Sequence, residues 1–448
     1  MSRAANKTRL NKRDKDAIAG MSRRLDASMS RLRNVMPHIL DLSVLEGRLP
    51  APRGHTLKDR IKLYRLAEEF GFKELALFSF FDFRNVDVQF LEWFIEKREN
   101  MDGVFSTVST MGMTDGGAAP GASFRTNYGI ERTLWGKVPN VVVYLDTRPS
   151  LLKEEGRTHE GLLRIIEDAV TFLREHLPEE NATNRRGRIY LRLADVFDAW
   201  DEDPEFVVRM LKLFAALPIS GIMFEDVRGT HFPFQTAELV RLMRRYNPSP
   251  RVILLHPHSG NGTEDAAVIE GILAGADGVW SGFTPHAAQG YHGSSMMLLT
   301  NLLRAGNEHV RETYKFERLS EIAGRMVKIH MGESITPDYP IIGERAYRYL
   351  DPGFVQMPGR PCDLPPEWIG RTAGYRVTPG WAPLWVIGKR LEELGYTPEV
   401  FENGDLLRAM RLKMAEACLD GKRIEFDKPK RLAKLVKACS AELLEAAE

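Results

Sequence analysis

Two histidines one residue apart close a short apolar run, Leu254-Leu255-His256-Pro257-His258, and Ser259-Gly260-Asn261-Gly262 follows. Residues two apart on a β-strand point to the same side. With residues 252–255 as a buried strand and the glycines as its exit loop, both imidazoles reach one point in space. Two neutral imidazoles held this way form half of a divalent-cation site. The bland alternative is one packed ring and one solvated ring. The choice between them rests on what the rest of the chain brings to the same place.

The elements that must position this pair follow from apolar periodicity. Strands are expected at 39–42, 74–80, 103–108, 140–145, 188–193, 221–224, 251–255 and 278–280. Helical patterns lie between them at 57–70, 89–97, 128–135, 159–176, 204–216, 235–246, 264–274 and 293–305. Eight strands alternating with helices predict a closed (β/α)₈ TIM barrel. Catalytic groups in that fold sit where strands run into the following loops. Asp41, Arg84, Asp146, Asp195, Asp226, His256, His258 and the 282–292 segment share that address. A glycine- and alanine-rich stretch at 112–121 is expected as a lid.

Four regions are expected. Residues 1–35 form a basic arm whose second half is an amphipathic helix with Met21, Leu25, Met29 and Leu32 on one stripe. Residues 36–306 form the barrel, 307–365 a linker subdomain, and 366–448 a C-terminal helical domain.

The 448 residues carry a formal charge of +1, with 43% hydrophobic and 27% charged residues. That balance describes an ordinary globular protein and gives no general attraction to nucleic acid or an anionic membrane. No apolar run approaches the ~20 residues of a membrane helix, and no apolar signal-peptide core follows Met1. Cys362, Cys418 and Cys439 are odd in number and widely spaced, which predicts a reducing, cytoplasmic setting without a disulfide framework.

Several segments together resemble one superfamily. Asp41-Leu42-Ser43-Val44-Leu45-Glu46-Gly47 is similar to an Asp-Thr-x-Arg-Glu/Asp-Gly motif at the first strand. Asp226-Val227-Arg228-Gly229 with Pro233 is similar to a strand-six Asp-Thr-x-Gly…Pro, and His256-Pro257-His258 to a strand-seven His-x-His. Pro340-Ile341-Ile342-Gly343-Glu344-Arg345-Ala346-Tyr347 and Pro366-Glu367-Trp368-Ile369-Gly370 resemble later landmarks. These belong to the metal-dependent 2-isopropylmalate synthase, homocitrate synthase and hydroxymethylglutaryl-CoA lyase superfamily, and the resemblance spans most of 37–400. His292 falls where that superfamily places a metal-binding Asn. Leu45 stands at its catalytic Arg, Val227 at its strand-six Thr, and Ala194 to Asp198 replace its Glu-Asp-x-x-Arg.

The resemblance implies a cation held by Asp41, His256, His258 and His292. Carboxylate plus imidazole suits Zn²⁺, Mn²⁺, Fe²⁺ or Co²⁺ better than Mg²⁺. The implied reaction is a Claisen-type condensation of an acyl-CoA with a 2-oxo acid, by a homodimer. Glu46, Arg228 and His286 are the expected catalytic groups, and Arg84, Arg192 and Arg228 the expected substrate-binding cations. Two alternatives remain: a metal-dependent aldolase or lyase acting without CoA, and a non-catalytic metal-binding barrel.

Overall fold

A computed structural model describes residues 10–80, 85–113, 123–154, 156–349 and 364–445. Arg84, most of the expected 112–121 lid, and Cys362 lie outside the described residues. Eight parallel strands close into a barrel in sequence order. They are β1 His38–Asp41, β2 Glu74–Ser79, β3 Val104–Ser109, β4 Asn140–Asp146, β5 Ile189–Ala194, β6 Gly221–Asp226, β7 Val252–Pro257 and β8 Gly278–Ser281. The expected (β/α)₈ architecture is the observed one.

Strands buried on both faces must be apolar almost throughout, and Val252-Ile253-Leu254-Leu255 shows this. Alternate side chains fill the interior: Leu40, Leu42, Ala76, Phe105, Val142, Tyr190, Met223, Leu254 and Trp280. Side chains of the opposite phase meet the surrounding helices.

Those helices begin and end where short-range chemistry dictates. Leu57–Phe70 starts at a Thr56–Asp59 capping box and stops at Gly71, whose φ of 117° suits glycine. Pro204–Ala216 starts at Asp203, whose side chain accepts from Phe206 N–H, with proline in the first turn. His159–His176 and Glu264–Ala274 have the bounds read from the pattern. Strands β6 and β7 run two residues past their expected ends, because Glu225 pairs with His256 and Asp226 with Pro257 in the parallel ladder.

The N-terminal helix spans Lys12–Asn34, beginning earlier than expected because Asn11 and Asp14 form a capping box. Its last turn is tied down. Arg31 donates to the carbonyls of Ile272 and Ala276, Arg33 to that of Ala305, and Asn307 Nδ2 to those of Leu32 and Val35.

The chain divides into two compact units, Met1–Lys315 with Ile322–Ser334, and Phe316–Glu321 with Ile335–Glu448. The second unit contains the helices Leu384–Glu393, Gly404–Leu419 and Pro429–Glu445. They enclose Val386, Ile387, Met410, Met414, Leu432 and Cys439. No helix among the described residues is long and apolar enough to cross a membrane.

Candidate metal centre

At the C-terminal mouth of the barrel, β7 presents His256, fully buried, and His258, partly buried, with ring centroids 4.8 Å apart. Each ring is oriented by a backbone carbonyl. His256 Nδ1 donates to Trp280 O, and His258 Nδ1 donates to Gln289 O at 2.9 Å. A carbonyl only accepts, so Nε2 is the lone-pair nitrogen in the neutral form of each ring. Burial holds the His256 ring below its ordinary pKa, which favours the neutral form. A ring turned by an outer carbonyl so that its free nitrogen faces inward is the arrangement a metal-ligating histidine needs.

Carboxylates face both free nitrogens. Glu46 Oε2 lies 3.3 Å from His256 Nε2, and Glu225 Oε1 lies 3.3 Å from His258 Nε2. Glu46 sits on the 3₁₀ turn Glu46–Arg48 and is buried. Its carboxyl is held below the ordinary value against burial, a shift that requires positive charge on the side of the His256, His292 and His258 rings. Glu46 Oε2, His256 Nε2 and His258 Nε2 are buried and make no hydrogen bond. A lone pair facing a carboxylate at that distance, away from water, is repulsive without a positive charge nearby. The donor atoms of Glu225, His256 and His258 lie within 4.8 Å of one another, so the residues present fit a divalent cation.

The other expected ligands are placed differently. Asp41 is the last residue of β1, between inward-facing Leu40 and Leu42, so strand alternation sends its side chain the other way. Its carboxylate accepts from Ser43 N–H at 3.1 Å and Ser43 Oγ–H at 2.9 Å, a turn that ends the strand. Burial pushes that carboxyl up to about 7 against these bonds. His292 stands beside His256, centroids 5.1 Å apart, and pairs through its backbone with His258. Both of its nitrogens are engaged: Nδ1 donates to Gly293 O at 3.0 Å, and Nε2 accepts from Gly282 N–H at 3.2 Å.

Among the expected cations, Arg192 is at the site. It projects inward from β5, its Nε and Nη2 meet Glu225 Oε2, and its guanidinium lies 4.1 Å over the Tyr144 ring. Arg228 is turned outward, half exposed, onto Asp198 at 2.5 Å. His286 lies in the turn Pro285–Ala287, its ring against Tyr291, and burial lowers its pKa.

Glu225 is the residue the sequence reading missed. With β6 ended at Phe224 it fell into a loop; in a strand that continues to Asp226 it shares the inward face of Met223. The signal was the unbroken run Ile222 to Asp226, where an acid precedes the motif's own Asp.

No family model matches the chain. A stretch of 153 residues is 26% identical to (R)-citramalate synthase of Geobacter sulfurreducens, 34% of this chain and 26% of that one. The chain thus matches about a quarter of that curated relative's length. Among solved structures, hydroxymethylglutaryl-CoA lyase of Bacillus subtilis superposes with a TM-score of 0.52 at 17% identity. That match covers 67% of this chain and 95% of the lyase. The same lyase from Pseudomonas aeruginosa gives 0.52 at 16% identity, covering 66% and 94%. The fold is a (β/α)₈ barrel like that of these hydroxymethylglutaryl-CoA lyases, and the resemblance read from the motifs agrees with both likenesses at low identity.

Proposed function

We propose that this protein is a divalent-metal-dependent enzyme that condenses an acyl-CoA with a 2-oxo acid. The observation that carries this reading is the pair of orphaned imidazole nitrogens, each facing a carboxylate at 3.3 Å inside the mouth of the barrel. Glu46, His256, His258 and Glu225 would hold the cation, which would supply Lewis-acid polarisation of a substrate carbonyl. Glu46 thereby moves from the expected acid–base role to that of a ligand, and Asp41 from ligand to strand-end turn.

The chain's own groups supply orientation and proton transfer. Trp280 O and Gln289 O fix the two histidines. Asp226 accepts from His231 N–H at 3.0 Å and lies 3.2 Å from His231 Nδ1. That contact raises the His231 pKa, whereas burial lowers that of His286, so His231 is the better proton carrier of the two. Leu45, buried among Leu40, Leu42 and Trp280, places no charge at the mouth, so Arg192 is the described cation there.

A cytoplasmic homodimer completes the reading. The test is thiol release from acetyl-CoA against a panel of 2-oxo acids, with and without Mn²⁺. Metal-dependent release with one acid supports it. Cleavage of a hydroxy acid without CoA would instead assign a lyase, and inactivity of the metal-loaded protein in both assays a non-catalytic barrel.

A further inference from the structure

Glu225 has two partners on opposite sides. Its Oε2 takes both Nε and Nη2 of Arg192, while Oε1 faces the orphaned His258 Nε2 at 3.3 Å. Arg192 is boxed in, with its guanidinium 4.1 Å from the Tyr144 ring centroid, 5.2 Å from that of Trp280, and its side chain only 13% exposed. Glu225 therefore covers the charge of Arg192. Without a cation, the carboxylates of Glu46 and Glu225 outnumber the one guanidinium that meets them among the described residues. A divalent cation reverses the sign and leaves one positive charge unmatched.

Two positive centres now compete for one carboxylate. A cation at His256 and His258 attracts Glu225, and every degree by which Glu225 turns toward it uncovers Arg192. A guanidinium left unpaired in a nearly dry site is costly, and the planar fork that took Glu225 fits another carboxylate equally well. We propose that Glu225 is a gate over a carboxylate subsite on Arg192, opened by cation binding, so that cation and a small organic carboxylate bind with positive coupling. The inference deepens the reading of the mouth as a cation site and does not depend on condensation as the reaction.

The coupling is read by titration calorimetry with Mn²⁺ and pyruvate, without acyl-CoA and without turnover. Wild-type protein saturated with Mn²⁺ binds pyruvate at least about tenfold more tightly than metal-free protein, and pyruvate tightens Mn²⁺ by the same factor. Glu225→Gln uncovers Arg192 permanently: pyruvate binds without metal, and Mn²⁺ weakens. Arg192→Gln frees Glu225: Mn²⁺ binds more tightly than to the wild type, and the metal-dependent gain in pyruvate affinity falls. If Glu225→Gln takes up no pyruvate without metal and Arg192→Gln weakens Mn²⁺, Arg192 merely orients a ligand and the gate is refuted. Mn²⁺ binding to wild-type protein with no change in pyruvate affinity refutes the gate alone. Absence of Mn²⁺ binding overturns the cation reading and the coupling with it. The wild-type measurement needs no variant to fold.

Discussion

Glu46 Oε2 stands 3.3 Å from His256 Nε2, and the other nitrogen of that ring is already committed to the carbonyl of Trp280. An ionised carboxylate and an imidazole lone pair held this close, out of water, call for a positive charge between or beside them. The turn that carries Glu46 is therefore as much a part of the site as the strand that carries His256.

That turn rests on a histidine. A Cβ added at Gly47 would lie 2.2 Å from Cε1 of His330, whose ring is buried. Gly47→Ala must displace either the ring or the turn, at about 1–3 kcal/mol. A lower thermal midpoint together with weakened Mn²⁺ binding is expected. A midpoint and affinity equal to the wild type would show that the turn and the ring are not locked together.

His330 and His55 form a buried pair, with Nδ1 of the first 3.4 Å from Nε2 of the second. Burial chiefly, and nearby positive charge, hold His55 at about 4; burial and the His55 ring hold His330 at about 3. Both folded values lie below the unfolded 6.5. The unfolded chain therefore binds protons that the folded chain refuses. Their contribution to stability is complete above 6.5 and is lost as pH falls through that value toward 3. Urea midpoints should drop steadily below neutrality, and less steeply in His55→Gln. An identical slope in the variant would remove this pair from the acid limb.

Arg228 and Arg192 share an expected substrate-binding role but are placed differently. The Arg228–Asp198 pair is half exposed on the arginine side, so Arg228→Ala should change stability by less than about 0.5 kcal/mol. Its kcat/KM in the thiol-release assay should stay near that of the wild type. A loss of activity comparable to that of Arg192→Gln would bring Arg228 into the site after all.

The barrel was legible because its signals are local and repeated. Apolar runs such as 252–255, ended by glycine-rich loops and alternating with amphipathic stretches, read as strands buried on both faces. The His-x-His pair was legible for the same reason, since strand alternation needs no knowledge of the rest of the fold. The acids were harder. Asp41 and Glu46 are five residues apart around a strand end, and only the inward phase of Leu40 and Leu42 shows that Asp41 turns away while the following 3₁₀ turn brings Glu46 back. Glu225 depended on where β6 stops, which its ladder with β7 decides. His292 lies in the expected place, but no spacing could reveal that backbone groups of Gly282 and Gly293 engage both its nitrogens.

The most direct test of the cation centre is the metal content of purified protein after exhaustive dialysis, compared with Glu46→Gln, His258→Ala and Asp41→Asn. The geometry gives about one equivalent per chain in the wild type and in Asp41→Asn, and a loss of at least about tenfold in affinity for the other two. A wild-type protein that retains no divalent metal, or an Asp41→Asn variant that loses it while Glu46→Gln keeps it, would contradict the account.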